Sequence, residues 1–187
     1  MGMAAPHTHW TVERLRALPN DGRRFEIIDG ELFVTPSPSF RHQYAVLALA
    51  ARLRDYLAAH RVGTVVIAPA DVEFSGETVV EPDVFVVPLV DGRPPEDSRS
   101  AGRPLLVIEV LSPGTERTDR GRKRELYQAQ GMPEYWIVNP NAQVFERWRP
   151  GDAQVELLSE RVTWRPAGAD EGMEIDLAAY WREVFGE

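Results

Sequence analysis

Two rhythms of apolar positions divide the first third of this chain. Phe25-Glu26-Ile27-Ile28 and Glu31-Leu32-Phe33-Val34 are β-rich runs on either side of Asp29-Gly30. Asp-Gly between such runs predicts a hairpin over 24–35, because a type I′ turn needs positive φ at both central residues. Pro36-Ser37-Pro38-Ser39 stops the second strand and offers caps for a helix over about Phe40 to His60. Val46, Leu49, Leu53 and Leu57 fall on one stripe of that helix. Ahead of the hairpin, Trp10 to Leu18 reads as a short amphipathic helix with Thr11 as its N-cap.

The rhythm then turns to strands. Thr64 to Ala68, Asp71 to Phe74, Asp83 to Val87 and Leu105 to Leu111 are short strand candidates, and Asp91 to Arg103 reads as an exposed loop. Thr118 to Gln130 is helical, with Gly131 placed to end it. Glu134 to Val138 pairs with Gln143 to Trp148 across Asn139-Pro140-Asn141. Two further strands near Val155 and Met173 precede a helix from Asp176 to Phe185. The order predicts a mixed central β-sheet flanked by helices, in a single α/β domain over residues 1–187.

Composition narrows the classes. The 187 residues are 43% hydrophobic and 27% charged, which is ordinary for a globular domain with a real core. There is no cysteine, which excludes disulfides and thiolate metal sites and suits a cytoplasmic location. No apolar run approaches ~18 residues, so no membrane span is expected, and Met1 to Pro6 lacks the pattern of a secretory signal. A net charge of −8 argues against coating nucleic acid with the whole surface. It leaves room for a local grip on a polyanion, since residues 117–124 hold five basic groups against one carboxylate.

One of those five stands out. Lys123 is the only lysine among 21 basic residues; the rest are arginines. A chain that otherwise writes arginine and keeps one lysine suggests a position that needs a compact ammonium with a tunable pKa rather than a planar fork. Glu109 lies inside Leu105-Leu106-Val107-Ile108-Glu109-Val110-Leu111, a run covered on both faces. A carboxylate there is costly unless it pairs with a cation, binds metal or sits at the strand's open end. Asp83 opens the strand Val84-Phe85-Val86-Val87. Alone it is an ordinary turn residue; beside a second carboxylate it is half of a site for a hard divalent cation.

Helical spacing puts Asp119, Lys123, Leu126, Tyr127 and Gln130 on one face. Leu126 and Tyr127 turn that face inward and carry Asp119 and Lys123 toward the sheet, unless the two form a plain ion pair at the helix edge. His42 continues the apolar stripe of the long helix, where a packed core histidine and a functional one are both open. Glu26 and Glu31 flank the hairpin turn, and either could reach a site. His7, His9 and His60 have no metal-ligand spacing, and no phosphate-binding glycine loop or nucleophile elbow appears.

Taken together these motifs resemble the PD-(D/E)XK nuclease superfamily, and more narrowly its Uma-two endonuclease family. The resemblance runs over roughly residues 10–150. It takes in Glu26-Ile27-Ile28-Asp29-Gly30-Glu31, Pro36-Ser37-Pro38, His42, Glu81-Pro82-Asp83 and Val107-Ile108-Glu109-Val110-Leu111-Ser112-Pro113. It continues through Asp119, Lys123, Tyr127 and Glu134-Tyr135-Trp136-Ile137-Val138. In the superfamily's usual motif the lysine follows the acid by two residues; here that position is Leu111, and Lys123 looks like a lysine moved to the next helix. The resemblance implies a restriction-endonuclease-like fold and a Mg²⁺- or Mn²⁺-dependent endonuclease acting on DNA. Asp83, Glu109 and Lys123 would be catalytic, with Asp83, Glu109 and the Val110 carbonyl on the metal. Glu31, His42, Asp119 and Tyr127 would support them, and Arg120, Arg122 and Arg124 would contact DNA phosphates. The alternative is a catalytically silent nuclease-fold module that binds protein or DNA. A homodimer is left open.

Overall fold

Local chemistry sets the element boundaries in the computed structural model, which describes residues 8–19, 24–35 and 37–187. Met1 to Pro6, His7 and Pro36, on which parts of the sequence reading fall, lie outside the described residues. Thr11 accepts a hydrogen bond from the Arg14 N–H and starts α1 (Val12–Arg16). Asp29 (φ 50°) and Gly30 (φ 77°) turn β1 (Arg24–Ile28) into β2 (Glu31–Thr35), the two positive φ values that the Asp-Gly pair predicts. Ser39 accepts from the His42 N–H and starts α2 (Phe40–His60), along which Val46, Leu49, Leu53 and Leu57 are all buried.

The chain continues through β3 (Gly63–Ile67), β4 (Val72–Ser75), β5 (Thr78–Val80), β6 (Val84–Pro88) and β7 (Leu106–Val110). A helical stretch follows in three parts: α3 (Glu116–Thr118), a π turn (Asp119–Lys123) and α4 (Arg124–Ala129). Then come β8 (Tyr135–Asn139), β9 (Val144–Trp148), β10 (Glu156–Leu158), β11 (Arg161–Trp164), β12 (Met173–Asp176) and α5 (Leu177–Phe185).

A six-stranded sheet of order β10-β9-β8-β7-β6-β3 forms the centre. It is mixed, because β7 and β8 run parallel while its other neighbours are antiparallel. Side chains alternate across it. Val84, Val86, Leu106, Ile108 and Val110 pack with α2 and α5 on one face. Phe85, Val87, Val107 and Ile137 pack on the other with Leu126 and Tyr127 of α4 and with Ile28, Val72 and Val80. The last three belong to an antiparallel sheet of order β2-β1-β5-β4. Glu109 shares the parity of Val107, so its carboxylate projects between α4 and that smaller sheet.

Among the described residues the strands fall into three sheets rather than one, and two strands are additional to those the sequence predicts. Thr78–Val80 is a strand of three residues, all buried, too short to show any alternation. Arg161–Trp164 is a strand whose exposed and buried residues alternate regularly. The helix expected over 118–130 contains the π turn, which carries both Asp119 and Lys123.

Candidate active site

The antiparallel register of β6 and β7 pairs Val84 with Ile108. One step outward along that register sets Asp83 opposite Glu109, and opposed residues of adjacent strands share a face. Both are buried. Asp83 Oδ2 accepts from the Val110 N–H at 2.9 Å and faces His42 Nε2 at 3.0 Å. His42 comes from the first turn of α2, so the long helix pins the acid at the end of β6. Arg24 NH1 of β1 approaches Asp83 Oδ1 at 3.5 Å while its Nε binds Glu81 Oε2 at 3.0 Å.

Lys123 enters from the π turn. Its Nζ lies 2.9 Å from Glu109 Oε1 and 2.9 Å from Glu26 Oε1, with Asp119 Oδ1 at 3.7 Å. The side chain is only 4% exposed, so neither a free surface charge nor an edge pair with Asp119 describes it. Tyr127 OH donates to Glu109 Oε1 at 3.1 Å, and Tyr135 OH donates to the Asp119 carbonyl at 3.0 Å. The second bond ties the π turn to β8. The cation on Glu109 is therefore a lysine fourteen residues on rather than an arginine.

One ammonium cannot neutralise this many carboxylates. Burial drives the Glu109 carboxyl well above its ordinary range; Lys123 opposes the shift, and Asp119, Asp83 and Glu26 reinforce it. Burial likewise raises Asp119, to about 6, against the opposing pull of Lys123 and Thr115. Burial would lower Lys123, yet Glu109, Glu26 and Asp119 outweigh it and hold the ammonium well above its ordinary pKa. Asp83 goes the other way. Burial pushes it up, but His42, the Val110 N–H and Lys123 together keep it below the usual carboxylate range. Asp83 is thus ionised, Lys123 charged, and Glu109 the group that most needs a further cation or a proton.

Asp83, Glu109, Lys123 and His42 line a cavity of about 20 Å³, together with Arg24, Thr35 and Ser112. That is room for one water-sized sphere. Among the described residues no group of three or more His, Asp or Glu side chains is disposed to hold an ion alone. Two carboxylates around a small polar cavity do suit Mg²⁺, which keeps several waters and takes further oxygens from substrate phosphates. The excess of buried carboxylate points the same way, so the donor set fits a hard divalent ion.

A family model described as "Putative restriction endonuclease", Uma2, matches residues 12–178. The chain belongs to the Uma2 family. Among solved structures it is similar to the crystal structure of "a putative nuclease belonging to DUF820 from Anabaena variabilis ATCC 29413", with a TM-score of 0.77 and 19% identity over 94% of this chain and 99% of that one. At that identity the likeness speaks to the fold, a mixed sheet flanked by helices. No curated protein matches the chain.

Of the residues that carry the Uma2 resemblance, Asp83, Glu109, Lys123, His42, Asp119 and Tyr127 come together. Val110 meets Asp83 through its N–H, a contact other than the carbonyl ligand that the resemblance implies. Glu31 does not join them. It sits at the turn end of the hairpin, exposed, and pairs with Arg122 at 3.3 Å. The hairpin residue that reaches the site is Glu26, two positions further in on β1, where it accepts from the Glu81 N–H at 2.7 Å and binds Lys123. In this structure the arginines expected at phosphates pair with carboxylates. Arg120 binds Glu146 and Glu116; Arg122 binds Glu31; Arg124 binds Glu125 and lies over the Trp148 ring. Arg24 at Asp83 went unrecognised in the sequence, where it marks only the start of a strand. Among the described residues no helix is long and apolar enough to cross a membrane.

Proposed function

We propose that this Uma2 protein is a divalent-metal-dependent endonuclease that hydrolyses DNA phosphodiester bonds. The observation that carries the reading is the convergence of Asp83 and Glu109 on one small cavity with the Lys123 ammonium 2.9 Å from Glu109. Asp83 and Glu109 would hold Mg²⁺ or Mn²⁺. When bound, such an ion draws charge from the scissile phosphate and makes an adjacent water more acidic.

The chain's own groups divide the remaining work. Asp83 stays ionised because His42 and the Val110 N–H hold it, and that fixed orientation is what a ligand needs. Glu26 and Tyr127 fix Lys123 and Glu109 against each other. Lys123, charged throughout the working pH range, serves as a preorganised positive charge for the oxygens of the phosphoryl transition state rather than as a proton donor. DNA as substrate is supported by the family's description.

One observation favours the non-catalytic alternative: in this structure Lys123 is already bonded to two carboxylates, a network that is complete without substrate. Incubation of supercoiled plasmid and single-stranded DNA with Mg²⁺, Mn²⁺ or EDTA separates the two. The enzyme reading predicts nicked and linear products with either ion and none in EDTA. Intact DNA under every condition would leave the silent module.

A further inference from the structure

A groove of about 600 Å³ adjoins the catalytic cavity, since His42 and Ser112 line both. Its walls include Ser37, Ser39 and Arg41 at the start of α2, and Asn141 in the β8–β9 turn. No carboxylate lines it, in a chain of net charge −8. Two other grooves of comparable size contain Asp29, Glu31 or Glu125. Hydroxyls, an amide and a guanidinium without an acid among them make a surface for an anion.

Arg41 gives that surface its charge. The guanidinium lies 4.8 Å over the Phe185 ring of α5, and among the described residues it has no carboxylate partner. Arg120, Arg122 and Arg124 each have a carboxylate partner. The N-terminal end of the 21-residue α2, which carries positive partial charge, opens onto the same groove.

Resting on the nuclease reading, we propose that one substrate strand runs through this groove and that Arg41 grips a backbone phosphate beside the scissile one. Asn141 and the serine hydroxyls complete the cradle. Contacts of this kind position the strand and read no sequence.

The test compares two charge reversals on α2. Arg41→Glu places an acid in the groove; Arg54→Glu alters an exposed arginine on the same helix that pairs with Asp55 and lines no part of the groove. Binding of a fluorescent duplex and of its single strand is read by anisotropy in EDTA, with thermal melts confirming that both variants fold. Arg41→Glu should weaken binding roughly ten-fold and lower the slope of log affinity against log salt by about one, with Arg54→Glu near wild type. Arg41→Met, which keeps an apolar stem against Phe185, should weaken binding in the same direction.

Equal effects of the two reversals, wild-type affinity in Arg41→Glu, or no DNA binding by the wild type would each overturn the groove. The underlying nuclease reading fails separately. A wild type that binds through Arg41 but cleaves nothing keeps the groove and loses the enzyme. A wild type that cleaves, with Arg41→Glu at unchanged KM, keeps the enzyme and loses the groove.

Discussion

Lys123 Nζ and Glu109 Oε1 lie 2.9 Å apart, one carried by a π turn and the other by a central strand. The π turn also delivers Asp119, and a single turn thereby lends the site both its cation and one of its acids. A wide turn of this kind forgoes the ordinary i→i−4 bonding, and such turns cluster at functional sites. Tyr135 takes up one of its carbonyls, at Asp119.

Removing the ammonium should therefore be costly in stability as well as in chemistry. Lys123→Met leaves Glu109, Glu26 and Asp119 buried without their shared partner, and should lose about 3–5 kcal/mol by urea unfolding at pH 8. The loss should shrink at pH 5, because burial raises the Glu109 and Asp119 carboxyls and lets them take up protons there. Lys123→Arg keeps the charge but replaces a point donor by a fork. Its cleavage rate should fall on the order of 10²-fold if the ammonium is preorganised for the transition state. Undiminished cleavage by Lys123→Arg would reduce the lysine to a structural partner.

Asp119 gives the fold a pH signature. Its pKa is raised from 3.8 to about 6 by burial, so the folded state holds a proton that the unfolded state has released. The stabilisation is full below the unfolded value and is lost as pH rises through the folded one. Stability of the wild type relative to Asp119→Asn should thus fall between pH 4 and pH 7, by on the order of 1–3 kcal/mol. A gap that is flat or widens over this range, measured by urea unfolding at each pH, would contradict the assignment.

Gly121 lies in the middle of the π turn, yet a Cβ there would meet nothing within 4 Å and its φ is not positive. The turn does not need a glycine. Gly121→Ala should stabilise the protein by about 0.4–1 kcal/mol through the unfolded chain, with activity retained. Destabilisation would mean that the π turn draws on glycine's backbone freedom.

Much of this was legible in the sequence. The Asp-Gly hairpin, the capped α2 and the inward face of Asp119, Lys123, Leu126 and Tyr127 follow from local chemistry that the folded chain keeps. The lone lysine marked its own position, because arginine elsewhere shows that charge alone did not require it. Glu26 and Glu31 could not be ranked. They lie on one face of the hairpin, and only the packing of that hairpin against α4 buries the inner one. The ion pairs of Arg120, Arg122 and Arg124 are not legible in the sequence, because charge density along the chain says nothing of the carboxylates that fold back onto it. The alternation of Arg161–Trp164 is present in the sequence but spans only four residues. The π turn left no signal there at all.

Calorimetric titration of Mn²⁺ into the apo protein tests most directly whether Asp83 and Glu109 share one divalent ion. Wild type should bind one ion per chain and release protons as it does so, since Glu109 is held above its ordinary pKa. Asp83→Asn and Glu109→Gln should each abolish the binding heat while remaining folded by circular dichroism. Absence of binding in the wild type, or undiminished binding in either variant, would contradict it.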